Sequence, residues 1–485
     1  MKPALMLERG GHDARSPHTR SVLIALGVCL LAFAIGIQIP IPLGAPLVAV
    51  ALGILPFAML FAVKNPFFLC LGFVIFSFFR IHEVFPVLMP LRIPQMLAIP
   101  TLGVLAWHFL GTRAIRPFMT RELAVFLTFF IMVTIGVPFA TDRPTAVSYW
   151  TATYVKICIM TFAIAWLTRE ASDFRLAMRA MVTAGIAVAL VTLYNKVNGI
   201  GLVEGTRVTI GRDIRSVLGD PNDLSLVLMF PLSFAVALAI RPSTFFDRFL
   251  GGLGIILIVL AVIATQSRGG LLGILAVFGT VGWRVVKNKA MLISVGGTAA
   301  AILFIAAGIS SRASGGAAEA GIDESAMGRV YAWNAAIKMA TSRPLTGVGL
   351  DNFVPNYFFY SEHWDGMNHA VHSTWFGVLG ETGPFGLIVF VTMVVTMVLS
   401  LIHALRILEG NDAPIALRAA GLGLISGVAG FCASGTFLTQ GFTWPIYVLV
   451  ALSAGLSRSA KRFEQNRNPA QDAIRKNSKF TRKNN

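Results

Sequence analysis

The sequence is dominated by long apolar segments that are separated by short polar turns. Repeated stretches of about 17–25 apolar residues are long enough to cross the hydrocarbon core of a bilayer as α-helices. Of the 485 residues, 55% are hydrophobic and only 13% are charged. A water-soluble protein does not bury that much apolar surface, so the bilayer must be the main solvent. Because backbone groups in lipid must be hydrogen-bonded internally, and barrel-type alternation is absent, we expect spanning helices.

The hydropathy pattern predicts an all-α fold, a polytopic helical bundle of about 12–14 spans with one large outer loop. The candidate spans are 21–39, 44–63, 66–80, 94–110, 122–139, 149–167, 176–194, 222–240, 249–266, 269–286, 290–308, 373–402, 415–437 and 441–457. The lower count applies if the short segments near Lys64 or Gly269 re-enter the bilayer without crossing it. The expected regions are an N-terminal tail (1–20), a transmembrane bundle (21–308) with an outer loop (195–221), a large outer loop (309–372), C-terminal transmembrane helices (373–457) and a basic tail (458–485). We expect about the last 25 residues to be disordered.

Basic residues gather at both chain ends and at one set of turns. The net charge of +17 does not indicate nucleic-acid binding, because its distribution follows the positive-inside rule and forms no basic stripe. Both termini are therefore assigned to the cytoplasm, and the loops 195–221 and 309–372 face outward. A basic segment precedes Ser21–Ile37 as in a signal peptide, but no clear small-x-small cleavage site follows it. We expect a retained first span.

The spacing of cysteine and histidine gives no metal-binding pattern. The four cysteines lie far apart in separate apolar segments: Cys29, Cys70, Cys158 and Cys432. We interpret them as small buried residues. His363, His369 and His372 lie close in sequence, but no carboxylate spacing accompanies them. We expect neither a metal nor another cofactor.

The shorter outer loop carries basic residues that break the positive-inside trend. They are Lys196, Arg207, Arg212 and Arg215. Either a loop of this length ignores the rule, or its arginines hold an anion, and the residues alone leave both interpretations open. Further along, Asp220 and Pro221 suit the N-cap and first turn of the next helix. That accounts for both of them and leaves Arg215 just above the membrane, on the same side as Arg268.

Arg268 lies between two predicted spans with almost no loop around it. An arginine near the centre of a bilayer costs on the order of 2.5–3.5 kcal/mol on insertion scales, and less near the interface. Its guanidinium either snorkels to lipid headgroups or forms a fixed fork for a phosphate. The glycines that follow, Gly269 and Gly270, permit close approach of a ligand or helix. We favour the phosphate fork.

The large outer loop contains one predicted amphipathic helix, from about Ser325 to Ser342. The apolar side chains expected on one face are Met327, Val330, Trp333, Ile337 and Ala340. Arg329 lies at the edge of this stripe. Pro344 and Gly347 are expected to end the helix.

Two more ionisable residues lie at and beyond the end of this loop. His372 stands where the chain re-enters the membrane, and a neutral imidazole accepts a proton near neutral pH. A lone loop histidine is often merely solvated, although His369 is close enough to share a helical face. Glu381 falls about two turns into a span, where a carboxylate must pair, carry a proton or line a cavity. The following Gly383–Pro384 predicts a kink.

These residues occur in an order that resembles the bacterial O-antigen ligase and O-antigen polymerase superfamily. The matching pieces are Arg215 with Gly219–Asn222, Ser267–Gly270, Gly328–Arg329 with Trp333, Pro344–Gly349 with Asn352–Phe353, His372–Trp375 and Leu379–Gly386. Each piece is short, and their order around the large outer loop is the specific feature. The resemblance covers residues 196–391 and the many-span layout. The fourteen candidate spans exceed the twelve spans that are usual for ligases of this kind.

The resemblance implies a GT-C-like, all-helical membrane glycosyltransferase. Such enzymes take an undecaprenyl-diphosphate-linked glycan as donor at the periplasmic face of the bacterial inner membrane. A ligase transfers the glycan to the sugar of the lipid A core, inverts the anomeric centre and uses no metal. By resemblance, His372 is the catalytic base, Arg215, Arg268 and Arg329 hold the diphosphate, and Arg268 also acts in catalysis. Arg212, His369 and Glu381 are expected to support the site.

Several functions stay open at this point. A repeat-unit polymerase or a protein O-oligosaccharyltransferase uses the same chemistry on a glycan or protein acceptor. A transporter or lipid-glycan flippase is also considered, because Glu381 and Gly383–Pro384 fit an interrupted helix with an ionisable group. Against transport, the polar candidates cluster at one membrane face. Membrane lipids are expected partners, and nucleic acid is not.

Overall fold

The described part of the chain is mainly helical, with almost no strands. The computed structural model describes residues 60–113, 115–214, 216–306, 324–364, 366–411 and 413–481, together with residues 53, 56 and 57. The chain divides by its internal contacts into residues 1–69 and 70–485. In the first unit, residues 60–64 are helical, and the Asn65 side chain donates to the Phe61 carbonyl (3.1 Å) before the next helix begins. The candidate site residues lie in the second unit, residues 70–485.

The α-helices are α1 (Pro66–Phe78), α2 (Ile81–Val84), α3 (Ile93–Ala106), α4 (Arg121–Gly136), α5 (Arg143–Tyr149), α6 (Val155–Leu167), α7 (Ala171–Asn198), α8 (Pro221–Ile240), α9 (Phe245–Thr265), α10 (Arg268–Val285), α11 (Lys289–Ala306), α12 (Glu324–Ser342), α13 (Phe353–Tyr360), α14 (Thr374–Gly410), α15 (Ile415–Gly435) and α16 (Trp444–Thr481). Short 3-10 turns lie at Pro86–Leu91, Val137–Phe139 and Val217–Gly219, and π-helical turns at Trp107–Gly111 and Trp150–Tyr154. The loop after α7 contains a two-stranded antiparallel hairpin of β1 (Leu202–Val203) and β2 (Arg207–Val208), which pairs Leu202 with Val208.

The described residues contain eight helices that are long and apolar enough to cross a bilayer. They are Leu88–Gly111, Arg121–Phe139, Arg143–Leu167, Ala171–Asn198, Pro221–Ile240, Phe245–Thr265, Thr374–Gly410 and Ile415–Gly435. The expectation of a polytopic helical membrane protein is confirmed. The predicted span 21–39 and most of 44–63 lie outside the described residues.

Helix α8 forms the centre of the bundle. Of its most apolar stretch, 83% is buried, against 39% for the neighbouring α9. A helix that is apolar on all sides packs against lipid or against other helices, and the burial of α8 shows that other helices surround it. Small residues permit this close packing: a Cβ on Gly251 of α9 would lie 2.6 Å from the Ala235 carbonyl oxygen of α8.

The two ends of the bundle differ in charge. At one end, Arg241 at the end of α8 donates to Glu409 of α14 (2.7 Å), and Arg179 of α7 pairs with Asp247 of α9 (2.6 Å). At the other end, the C-termini of α7, α9 and α15 meet the N-termini of α8, α10, α14 and α16. The candidate site lies at this second end, away from the basic turns.

The amphipathic helix predicted over 325–342 is α12, and it ends before Pro344 as expected. The predicted apolar stripe does not coincide with its buried face, because Val330 and Ile337 are each 42% exposed. The buried face is formed mainly by smaller residues that pack on α14: Ala332, Ala335, Ala336, Met339 and Ala340. A Cβ on Gly380 of α14 would lie 3.5 Å from the Ala336 Cα. Close helix approach therefore selected alanines rather than the large apolar residues.

The C-terminal helices α14 and α16 differ in regularity. Helix α14 breaks its regular geometry at Gly383 (φ 73°, ψ 179°), where the sequence predicts a kink. Helix α16 runs without interruption from Trp444 to Thr481, so the prediction that the last residues are disordered is wrong up to Thr481. A helix once started is extended at low cost, even through polar sequence.

Replacing Gly383 with alanine should destabilise the fold. Its dihedral angles lie in a region that is essentially restricted to glycine, and a Cβ would approach the Pro344 carbonyl oxygen to 2.5 Å. We expect Gly383→Ala to cost on the order of 1–3 kcal/mol and to lower the Tm of the purified protein in detergent. Gly279→Ala is the control, because no atom of the described residues would lie within 4 Å of its Cβ and alanine favours a helix interior. Equal Tm values for the two variants would contradict this account.

Candidate active site

The first turns of α8 and α10 are joined by side-chain hydrogen bonds. Asp220 caps α8 by accepting from the backbone N–H groups of Asn222 (2.7 Å) and Asp223 (3.2 Å), as the sequence predicts. Ser267 caps α10 by accepting from the Gly270 N–H (3.2 Å). The Ser267 hydroxyl also donates to Asn222 Oδ1 (2.9 Å). The two helix N-termini are thus held side by side.

The turn between α15 and α16 connects α8 to the start of α14. The Gln440 side-chain amide donates to Asp223 Oδ1 (2.7 Å), and its backbone N–H donates to Thr374 Oγ1 (3.2 Å). The Thr374 hydroxyl donates in turn to the Leu438 carbonyl (2.7 Å). Three helix N-termini, those of α8, α10 and α14, therefore converge on one turn. The positive ends of their dipoles favour an anion at this place.

His372 lies two residues before α14 in a left-handed backbone conformation (φ 44°). Such a conformation is uncommon for a residue other than glycine and is found at functional sites. The neighbouring Val371 carbonyl accepts from Trp333 Nε1 of α12 (3.2 Å), and the Trp333 ring stacks on Phe376 with centroids 4.9 Å apart. The chain around His372 is thus fixed by both α12 and α14.

The pKa of His372 is lowered from its usual value of 6.5. Burial is the main cause, the positive charge of Arg329 adds to it, and Asp220 opposes it. His369 lowers the pKa further. The neutral imidazole, which accepts a proton, is therefore the dominant form at neutral pH.

Arg329 and the start of α10, which carries Arg268, both lie close to Phe437. The Arg329 guanidinium carbon is 5.7 Å from the centre of the Phe437 ring. A Cβ on Gly269, the residue after Arg268, would lie 3.4 Å from the Phe437 Cβ. Arg268 is the first residue of α10. The structure thus brings two of the predicted arginines to the turn beside which His372 lies.

Arg207, named above only as one of the basic residues of the shorter outer loop, contacts the site residue Asn222. Its side chain is buried on β2, where it donates to Asn222 Oδ1 (2.9 Å) and to the Thr265 carbonyl (3.3 Å). A carboxylate oxygen of Glu204 lies 3.7 Å from it. No motif marks Arg207, because the hairpin that turns it inward is only two residues long on each strand.

Arg215 lies outside the described residues, but its neighbour Ser216 is firmly held. The Ser216 hydroxyl donates to Glu83 Oε2 (2.6 Å) and caps the 3-10 turn that precedes α8. Glu83 also pairs with Arg80 (3.0 Å). The segment Arg80–Glu83 thus contacts the outer loop 195–221. Its sequence shows no sign of this contact, because only its hydropathy is informative. Arg212 is exposed nearby.

Glu381 and His369 make contacts with the second half of the large loop. The Glu381 carboxylate accepts from the backbone N–H groups of Asp351 (3.0 Å) and Phe353 (3.3 Å), and so holds the start of α13 on α14. His369 meets the Tyr357 ring edge-on at 5.5 Å. The His363 ring stacks on another aromatic ring of the loop at 3.9 Å. In the described ranges, no three His, Cys, Asp or Glu side chains are grouped as a metal site.

The electrostatic origin of the His372 pKa can be tested without an activity assay. Native His372 should titrate below 6.5. Arg329→Gln removes a positive charge and should raise that pKa, whereas Asp220→Asn removes a negative charge and should lower it. Asparagine keeps the helix cap. The pH dependence of His372 modification by diethyl pyrocarbonate, mapped by mass spectrometry with His403 as internal standard, measures both shifts. Shifts of the same sign in the two variants would refute this electrostatic account.

A comparison with protein-family models matches residues 253–391 to the family described as O-Antigen ligase. The match begins in α9 and ends in α14, and it includes Arg268, Arg329, His372 and Glu381. It confirms the resemblance and supports a relationship of this part of the chain to the O-antigen ligase-like superfamily. No curated protein matches the chain.

Proposed function

We propose that this chain, through its O-antigen ligase-like domain, transfers a glycan from an undecaprenyl-diphosphate donor to a sugar hydroxyl. The observation that carries the proposal is the position of His372 beside Arg329, at a turn where three helix N-termini and Arg268 converge. A base and a set of fixed positive charges are the two requirements of this reaction. The preferred acceptor is the sugar of a lipid A core.

The charge distribution supports a periplasmic site in a bacterial inner membrane. The end of the bundle with Arg179, Arg241 and Arg418 carries the basic turns, and the positive-inside rule assigns it to the cytoplasm. The candidate site lies at the opposite end. A lipid-linked donor with its diphosphate at the outer interface reaches this end without leaving the membrane.

The arginines account for the donor's leaving group. Departure of the glycan leaves its electron pair on the lipid diphosphate, where negative charge develops. Arg268, Arg329 and Arg215 are assigned to this diphosphate, and the helix dipoles of α8, α10 and α14 add fixed positive charge. Because the arginines supply the compensating charge, the proposed reaction requires no metal. Arg207 holds Asn222 and thereby the first turn of α8.

His372 accounts for activation of the acceptor. The acceptor hydroxyl oxygen attacks the anomeric carbon, and its proton passes to the neutral His372 imidazole. The new glycosidic bond forms as the bond from the anomeric carbon to the diphosphate oxygen breaks. Attack opposite to the leaving group inverts the anomeric centre. A positioned general base contributes about 10²–10⁴-fold to such a rate.

Other acceptors use the same machinery. A repeat-unit polymerase presents a second lipid-linked glycan to His372, and a protein O-oligosaccharyltransferase presents a hydroxyl side chain. Transport has less support, because both oxygens of Glu381 accept backbone hydrogen bonds. The break at Gly383 likewise accommodates the Pro344 carbonyl. The features that favour a transporter thus have structural roles.

Substitution of His372 should abolish transfer. His372→Ala removes the proton acceptor and leaves the arginines in place, so we expect at least a 10²-fold loss of rate with donor binding retained. The assay supplies a lipid-diphosphate glycan and, in parallel, a lipid A core or a second donor molecule as acceptor to protein in liposomes without a gradient. His403→Ala, at the far end of α14, is the matched control. Full activity of His372→Ala would refute the base assignment.

Arg268→Lys should lower transfer sharply although it preserves the charge. Lysine lacks the planar fork that binds two phosphate oxygens at once. We expect the donor KM to rise and kcat to fall. Arg284→Lys, at the opposite end of the same helix, should behave like the native protein. Unchanged turnover in Arg268→Lys would exclude a bidentate contact with the diphosphate.

A further inference from the structure

A second positively charged feature lies outside the candidate active site. An open cavity of about 620 Å³ is lined by residues 139–144, between α4 and α5, and by Arg343 just after α12. Along the axis of α12, Arg343 is 14 residues from Arg329, or about 21 Å at the helical rise. The cavity is therefore separate from the arginines assigned to the donor.

The cavity presents two guanidinium groups. Arg143 is exposed and has no hydrogen-bond or ion-pair partner in the described part of the chain. Arg343 uses one N–H group to donate to the Phe139 carbonyl (2.8 Å), which leaves its other donors available. The Asp142 carboxylate accepts from the backbone and hydroxyl of Thr145 (3.3 and 2.6 Å). The carboxylate that lines the cavity is thus hydrogen-bonded within its own helix cap.

The backbone of this cavity is rigidly held. Asn352 is fully buried and accepts from the Thr141 hydroxyl (2.9 Å) and the Asp142 N–H (2.7 Å). Its amide donates to the Asp142 carbonyl (3.1 Å), and the Asn356 amide donates to Thr141 Oγ1 (2.7 Å). The turn is therefore preorganised before a ligand arrives, which reduces the entropy lost on binding.

An apolar stripe leads along α4 to the cavity. Ile131, Ile135 and Phe139 follow at four-residue spacing and are 48%, 59% and 56% exposed. Leu345, which follows Arg343 closely, is 71% exposed. In a membrane protein such a stripe faces acyl chains. A ligand that contacts both the guanidinium groups of the cavity and this apolar stripe has an anionic head and apolar tails.

We propose that this cavity binds the phosphate of a lipid headgroup, with the acyl chains along Ile131, Ile135 and Phe139. The two arginines bind phosphate oxygens through charge-assisted hydrogen bonds. As a deepening of the proposed function, on which this step rests, the lipid is the anchor of the acceptor. A glycan of several sugars attached to it then bridges the distance to His372. The site would thus select acceptors that carry a phosphate at the membrane surface.

The binding step is tested with purified full-length protein in neutral detergent. The probes are short-chain phosphatidic acid, the matched diacylglycerol without phosphate, and inorganic phosphate without acyl chains. Binding is measured by native mass spectrometry. Phosphatidic acid should bind most tightly, and Arg143→Gln should weaken it about tenfold, as loss of one hydrogen bond to a charged group predicts. Because Arg143 has no partner in the described chain, the variant should keep the native Tm.

The double variant Arg143→Gln/Arg343→Gln should lose still more affinity for phosphatidic acid. Arg121→Gln removes an exposed arginine at the opposite end of α4 and should bind like the native protein. Equal binding of phosphatidic acid and diacylglycerol would overturn the proposal. An equal loss in Arg121→Gln would overturn it as well, since it would show unspecific attraction.

A transfer assay separates the two sources of the lipid phosphate. If the acceptor supplies it, Arg143→Gln raises the KM for a phosphorylated glycolipid acceptor at constant kcat and leaves the dephosphorylated acceptor unaffected. If a bilayer phospholipid supplies it, Arg143→Gln weakens the binding of phosphatidic acid but leaves the KM values for the phosphorylated and the dephosphorylated acceptor constant. In that case, the lipid site stands and the acceptor assignment is refuted. Absence of transfer by native protein refutes the proposed function, whereas the binding experiment still gives its answer.

Discussion

The candidate site depends on hydrogen bonds that hold the first turns of α8, α10 and α14 together. Asn222 accepts from Ser267 and Arg207, and Gln440 connects Asp223 to Thr374. Polar groups that meet inside a membrane bundle are stable only when they satisfy one another. The same network brings three positive helix ends to one turn and fixes the chain beside His372. Packing and the proposed chemistry therefore have a common origin.

Features set by nearby residues were predictable from the sequence. The eight candidate spans of the described residues follow from hydropathy, the cap of α8 from Asp220 and Pro221, and the kink from Gly383. Contacts between distant segments were not predictable. Gln440 reaches Asp223 across 217 positions, and neither residue has a local pattern that marks it. The buried face of α12 was not predictable for a related reason, since its alanines are selected by the close approach of α14.

The membrane explains why the candidate site combines a partly buried histidine, the proposed base, with fixed cations. Partial burial lowers the pKa of His372 by disfavouring its charged form, and Arg329 acts in the same direction. A base that is neutral in the resting protein needs no proton removed before reaction. In the proposed reaction it takes the proton of an acceptor while the diphosphate develops its negative charge in the same region. Asp220 then becomes a stabilising partner for the imidazolium.

The proposed lipid site and the candidate active site share one structural connection. Glu381 of α14 binds the backbone of Asp351 and Phe353, and Asn352 between them holds the turn with Asp142. Helix α14 also begins just after His372. The cavity is thus joined by hydrogen bonds through this loop to the helix that follows His372. An acceptor anchored at the cavity and reacting at His372 would bind to two parts of one rigid element, which limits the conformational entropy lost in alignment.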